Sequence, residues 1–307
     1  MSEGTGVFPL YSKPPAIQFL VIMVVILLSS LLVMGAGMLL SLLVFDPGMT
    51  VSDILSGESG GTGRSYLLYS QVISQFAVFL IPGLIISWMM TGDGIRWLGI
   101  DRPMEAGVAF LVLLLAGTII PLTSAAGYLN SGMELPECLS RVEEWMRVKE
   151  EQALVLTGRL VYAESAGGLA VNIFVLAILP AVAEEVLFRG VIQNNLERWV
   201  GSGIVAVIIT SLLFSTLHLQ FFTFLPRFLL GIVFGFLYLW SRTIWLPVIA
   251  HFGNNIVPVV WSYFRGWDYL NESASDFVPA DVWQLAGMII VPSALLGVLY
   301  MLVKKRE

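Results

Sequence analysis

Pro180-Ala-Val-Ala-Glu-Glu-Val-Leu-Phe-Arg-Gly190 closes a long apolar run and sets three charges where a bilayer tolerates few. A Lys, Arg or Asp at the centre of a spanning helix costs about 2.5–3.5 kcal/mol on insertion scales, and Glu behaves similarly. Charges kept at such a place are functional or paired. On a helix, Glu185 and Arg189 stand four apart on one stripe, so they can pair. Glu184 is turned by about 100° from Glu185 and has no partner on its own helix. One carboxylate is committed; the other is free for chemistry.

The surrounding chain has 307 residues, of which 57% are hydrophobic and only 12% charged, with a mean hydropathy of +0.85. That composition specifies an all-α, polytopic membrane protein, because the apolar surface exceeds what one water-soluble core of this size can hide. The first apolar run is too long for a secretory core segment and lacks a small-residue cleavage pattern, so no removable signal is expected. A net charge of −6 with no basic tract argues against nucleic acid as a partner. The lone Cys138 excludes an intramolecular disulfide and a Cys-rich metal site.

Uncharged runs over 14–45, 65–92, 106–133, 165–183, 199–226, 228–241, 243–264 and 282–303 predict eight transmembrane helices in a single domain. The fourth extends through the Glu-Glu motif to about Trp199, as one long helix bent at Pro180. The sixth is short unless Arg227 snorkels at its mouth. Trp97, Trp199, Trp240, Trp245 and Trp283 stand near proposed span ends, as interfacial anchors do. The Gly- and Ser-rich loop 46–64 reads as a flexible connector, and no internal repeat is evident.

An even number of spans puts both termini on one side of the plasma membrane. Lys13, Arg96, Arg102, Arg198, Arg242, Lys304, Lys305 and Arg306 fall on that side. Arg64, Arg227 and Arg265, with four more between helices 3 and 4, fall opposite. The bias places both termini in the cytoplasm. The one longer polar segment, 134–164, repeats Leu139, Val142, Trp145, Met146 and Val148 at roughly helical spacing among Glu143, Glu144, Arg147, Lys149, Glu150 and Glu151. It reads as an amphipathic helix on the membrane face, either a lid over a site or a plain connector with a solvated side.

The chain contains two histidines, His218 and His251, and both fall inside expected spans. Polar side chains in lipid face the bundle interior, so both imidazoles and the free carboxylate are driven toward one core. His251 and Asn255 are four apart and share a helix face, and Phe214 stands one turn before His218. A structural reading competes, in which these groups only join helices by hydrogen bonds.

In order, Glu184-Glu185-x-x-x-Arg189, Phe214-x-x-x-His218 and His251-x-x-x-Asn255 resemble the CAAX prenyl protease and bacteriocin-processing (Abi, or CPBP) family of intramembrane proteases. The resemblance covers about residues 165–265, helices 4 to 7, which would form the catalytic core. It implies an eight-helix fold with the active site inside the bundle. It also implies Glu184 as the general base for a hydrolytic water, with His218 holding that water. His251 and Asn255 would stabilise the oxyanion, and Glu185 with Arg189 would brace them. The same residues admit a second mechanism, with Glu184, His218 and His251 as zinc ligands around an open fourth position. The missing HExxH spacing and the His251/Asn255 pair favour the metal-free version. The substrate implied is a peptide or membrane-associated protein, with or without a lipid anchor. Against proteolysis stands a non-proteolytic immunity, scaffold or transport protein on the same fold; a transporter should show inverted repeats, and none is visible.

Overall fold

The computed structural model describes residues 9–45, 60–266 and 281–304. Most of the Gly/Ser-rich connector, over 46–59, and the terminal Lys305 and Arg306 lie outside them. Among the described residues the fold is all-α. Its main helices are α1 (Pro15–Val44), α2 (Gly60–Thr91), α3 (Ala106–Ser131), α4 (Ser140–Val161), α5 (Ala166–Val200), α6 (Gly203–Thr216), α7 (Phe224–Ser241), α8 (Trp245–Arg265) and α9 (Val282–Lys304). All eight expected runs are helical, and α4 is the amphipathic segment between the third and fourth. Among the described residues six helices, α1, α2, α3, α5, α7 and α9, are long and apolar enough to cross a membrane, which does not confirm the expected count of eight. α8 has the length but bears His251, Asn254 and Asn255. α6 is apolar but stops after 14 residues.

Local chemistry explains where the elements break. Ser202 caps α6, its hydroxyl accepting from the Val205 amide at 3.4 Å, just after Gly201 ends α5 with a φ of 70°. Two wide π-helical turns, Gln75–Leu80 in α2 and Ile173–Ile178 in α5, come immediately before Pro82 and Pro180. A proline lacks the N–H for the bond to the fourth residue back and presses on that carbonyl, which one wide turn relieves. At Pro180, where a bend is expected, the structure shows this wide turn, and α5 runs unbroken for 35 residues. A third wide turn, Val186–Gln193, directly follows Glu185 and has no proline to account for it.

The helices pack as two groups. Ile22 of α1, Ile86 and Met90 of α2, Leu187, Phe188 and Val191 of α5, and Ala206 and Phe214 of α6 share one core. Val112, Leu115 and Ile119 of α3, Phe234 and Leu237 of α7, Leu246 and Ala250 of α8, and Leu299 of α9 share the other. Val186 joins Tyr238, Ile244 and Val248 in the seam between them. Outward faces are apolar: Leu27, Leu31, Leu32, Met38 and Leu43 of α1 are exposed, as are Ile204, Ile208, Leu212 and Leu213 of α6. Exposed apolar area on this scale belongs in lipid. The protein is a multi-pass membrane protein.

The fifth expected run, 199–226, overshoots the helix it contains. After Thr216 the backbone turns, and Leu219 takes a left-handed φ of 52°. At 1.5 Å per residue α6 is about 21 Å long, short of the ~30 Å hydrocarbon layer. Irregular backbone such as the turn 217–223 survives at membrane depth only if protein satisfies it. Here protein does. Asn130, at the end of α3, donates to the Phe221 carbonyl at 3.0 Å and accepts from the Leu225 amide at 2.7 Å. Ser215 donates to the Phe224 carbonyl at 2.6 Å. Glu150 of α4 accepts from the Phe222 amide at 3.3 Å and the Thr223 hydroxyl at 2.9 Å. Trp145 lies against Phe221, and Arg147 sits 4.4 Å over the Phe222 ring. Glu150, which the sequence sets on a charged outer face, thus turns inward and is buried. At the outer end of α4 the Glu143 carboxyl accepts from the Leu135 amide and from Arg147; these two hold it below the ordinary carboxylate range.

Asn130→Ala leaves the half-buried Phe221 carbonyl and Leu225 amide without this partner, at up to about 1–3 kcal/mol for each group left unsatisfied. The expected outcome is a lowered thermal midpoint in detergent, while Cys138→Ser, at an exposed position, leaves the midpoint unchanged.

Candidate active site

The polar residues of the motif meet in the seam between the two helix groups. Glu185 and Arg189 are both fully buried, and Arg189 Nη1 donates to Glu185 Oε1 at 3.0 Å, the i,i+4 pair that the spacing specifies. Arg189 Nη2 donates to the Gly231 carbonyl of α7 at 3.1 Å. The guanidinium is ringed by Phe188, Phe214 and Phe234, with centroids at 5.8, 4.9 and 5.5 Å. α7 comes this close because residue 231 is glycine: a Cβ there would lie 2.9 Å from that of Ser211.

His251 of α8 completes the chain of contacts. Its Nδ1 is 2.8 Å from Glu185 Oε1, so this nitrogen carries the proton and donates it to the carboxylate. Phe234 stacks on the imidazole at 5.0 Å and 19°, and Phe214 meets it edge-on at 5.9 Å. The other nitrogen, Nε2, is thereby aimed at Glu184, 3.9 Å from Oε2.

Glu184 is not partnerless. Its Oε1 accepts from the Gln75 side-chain amide of α2 at 3.0 Å. Gln75 is a residue that the motif reading missed. Its only sequence signal is an amide in an otherwise apolar run, which spacing within one helix cannot connect to a residue 109 positions away.

His218 lies just past the end of α6, in the turn and not inside a span as expected. It still faces Phe214, with ring centroids 5.0 Å apart, and its Nδ1 donates to the Phe214 carbonyl at 2.7 Å. That bond leaves Nε2 as an acceptor. Both imidazoles thus border one Phe214 ring, and the charges of Glu184 and His251 both act on His218. Asn255 is on α8 one turn beyond His251, where its Oδ1 accepts from Asn254 at 3.4 Å. No hydrogen bond among the described residues joins it to Glu184, His218 or His251.

The arrangement therefore gathers Glu184, Glu185, Arg189 and His251 in direct sequence, with His218 across Phe214 and Asn255 along the same helix as His251. Among the described residues, no three His, Cys, Asp or Glu side chains gather closely enough to hold a metal ion. The side chains as they stand do not form a zinc cage.

A helical membrane protein with a buried carboxylate set against imidazoles is the class this geometry defines. Residues 166–257, from α5 into α8, match the family described as type II CAAX prenyl endopeptidase Rce1-like. Over 95 residues the chain is 34% identical to the membrane-embedded CAAX protease MroQ of Staphylococcus aureus, covering 29% of this chain and 38% of that protein. It is 35% identical over 88 residues to the uncharacterized protein YpbD of Bacillus subtilis, covering 26% and 40%. It is 28% identical over 103 residues to the putative membrane peptidase YdiL of the same organism, covering 34% and 42%. The chain thus matches about two fifths of the length of these curated relatives. No solved structure matches.

Arg189→Met strands the Glu185 carboxylate in the interior, which typically costs about 3–5 kcal/mol. Arg189→Lys should recover only part of that, since one ammonium cannot reproduce the fork that reaches both Glu185 and Gly231. Thermal unfolding in detergent should rank wild type above Lys and Lys above Met.

Proposed function

We propose that the protein is an intramembrane endopeptidase that hydrolyses a peptide bond near the membrane surface with a water activated by Glu184. The observation that carries this is the buried Glu184 carboxylate, with one oxygen on the Gln75 amide and the other directed at a braced imidazole.

Glu184 Oε2 takes a proton from the water, whose oxygen attacks the peptide carbonyl, and the same carboxyl then delivers that proton to the leaving amine. His218 Nε2, free because Nδ1 is spent on the Phe214 carbonyl, accepts from the water and orients it. His251 Nε2 and the Asn255 amide stabilise the oxyanion; one such donor is typically worth about 3 kcal/mol. In that role His251 carries a proton on each ring nitrogen, balanced by Glu185 on one side and Glu184 on the other. Glu185 and Arg189 hold the ring in place and touch no substrate. No nucleophilic Ser, Cys or Thr is required, and the mechanism uses no metal. The substrate is a peptide or a membrane-associated protein, with or without a lipid anchor, and the protein acts in the plasma membrane with both termini in the cytoplasm. The family match from α5 into α8 and the name of the Staphylococcus aureus relative support the reading.

The test is cleavage of a mixed pool of internally quenched peptides by the purified full chain in lipid vesicles. Glu184→Gln should lose about 10²–10⁴-fold in rate, the usual worth of a general base, while folding normally. His218→Ala should fall in parallel. Exhaustive chelation should leave wild-type turnover intact; loss on chelation with recovery on adding zinc would replace the water mechanism by the metal one. Undiminished cleavage by Glu184→Gln would return the protein to a non-proteolytic role.

A further inference from the structure

Gln75 belongs to α2, outside the matched segment and outside all three motifs. It is 4% exposed, in the first position of the wide turn Gln75–Leu80. Its amide nitrogen meets Glu184 Oε1 at 3.0 Å, while its own Oε1 is buried without a hydrogen-bond partner. Burying a long polar side chain in a bundle this apolar is costly unless it is satisfied, and half of this one is not. The backbone is built to put it there. Pro82 forces the wide turn, and Gly83 lets α2 approach α5 so closely that a Cβ would lie 2.7 Å from Val186 Cγ1.

We propose that Gln75 is a positioning residue for the hydrolytic reaction, which fixes the rotation of the Glu184 carboxylate. The proposal rests on Glu184 being the base. A carboxylate on a Glu side chain turns freely about its last bond, and that torsion has no sharp preference of its own. With Oε1 held by the Gln75 N–H, Oε2 is the oxygen presented to His251 Nε2 and to the water. No other hydrogen bond to the Glu184 carboxylate is formed among the described residues, since His251 Nε2 stands off at 3.9 Å, so this amide is its one directional restraint.

The experiment is the pH dependence of kcat and KM for the quenched peptide pool, with the full chain in vesicles. Gln75→Met fills the same space without a donor, and Gln75→Glu keeps the shape and replaces the donor with an acid. Both should lower kcat about 10–100-fold, as the loss of a supporting hydrogen bond at a reactive group does, with KM changed far less. In Gln75→Met the acidic limb of the kcat profile should move to higher pH, because the charged form of the base has lost its donor. It should move further in Gln75→Glu, where two adjacent carboxyls share a proton. A fall in kcat with an unmoved acidic limb would mark Gln75 as structural and overturn the proposal, as would wild-type kinetics in both variants. Glu184→Gln in the same assay separates the two levels. If it is inactive while the Gln75 variants match wild type, only the role of Gln75 is refuted. If it cleaves like wild type, the base itself is misassigned and the Gln75 proposal falls with it. Should Gln75→Met not fold, Gln75→Glu still reports both kcat and the limb.

Discussion

A guanidinium with no access to solvent holds the two halves of this bundle in register. Arg189 leaves α5 and is gripped by Glu185 on its own helix, by a carbonyl of α7 and by three aromatic rings. Glu185 then passes the contact to His251 of α8. A buried ion pair is poor evidence of stability in itself, because desolvation consumes most of what attraction returns. Its effect is positional. These bonds close only when α5, α7 and α8 stand at one relative height, and hydrophobic packing across the seam would accept several. The imidazole faces Glu184 as a consequence of that height.

Most of the architecture was legible because a bilayer imposes a length and an apolarity on whatever crosses it. Every expected run contains a helix, and Glu185 meets Arg189 as four-residue spacing allows. The failures have two causes. Leu217, Leu219, Phe221 and Phe222 are as apolar as any span, so hydropathy carries the fifth run through to 226; yet the backbone at these four residues is a turn. Hydropathy reports the surroundings of a residue and not its backbone conformation. The amide of Gln75, the Gly231 carbonyl and the inward Glu150 were out of reach for a different reason. Each acts on a partner dozens of positions away, and helix periodicity carries no information between helices.

The wide turns link sequence to site. Two are the price of Pro82 and Pro180, and the one in α2 begins at Gln75. The third, with no proline to cause it, runs through Arg189. A residue inserted into a helical turn re-aims the side chains around it, which is why such turns gather where a protein needs an orientation regular geometry does not offer. The carboxylate and its two supports lie on or beside these irregular turns.

The fourteen-residue α6 leaves its mark on the lipid. Its flank of Ile204, Ile208, Leu212 and Leu213 is bare, so acyl chains must meet a wall about 9 Å too short for them. A bilayer answers a short wall by thinning against it. With α6 starting at one surface, headgroups along this side would be drawn toward the end of the helix that carries His218.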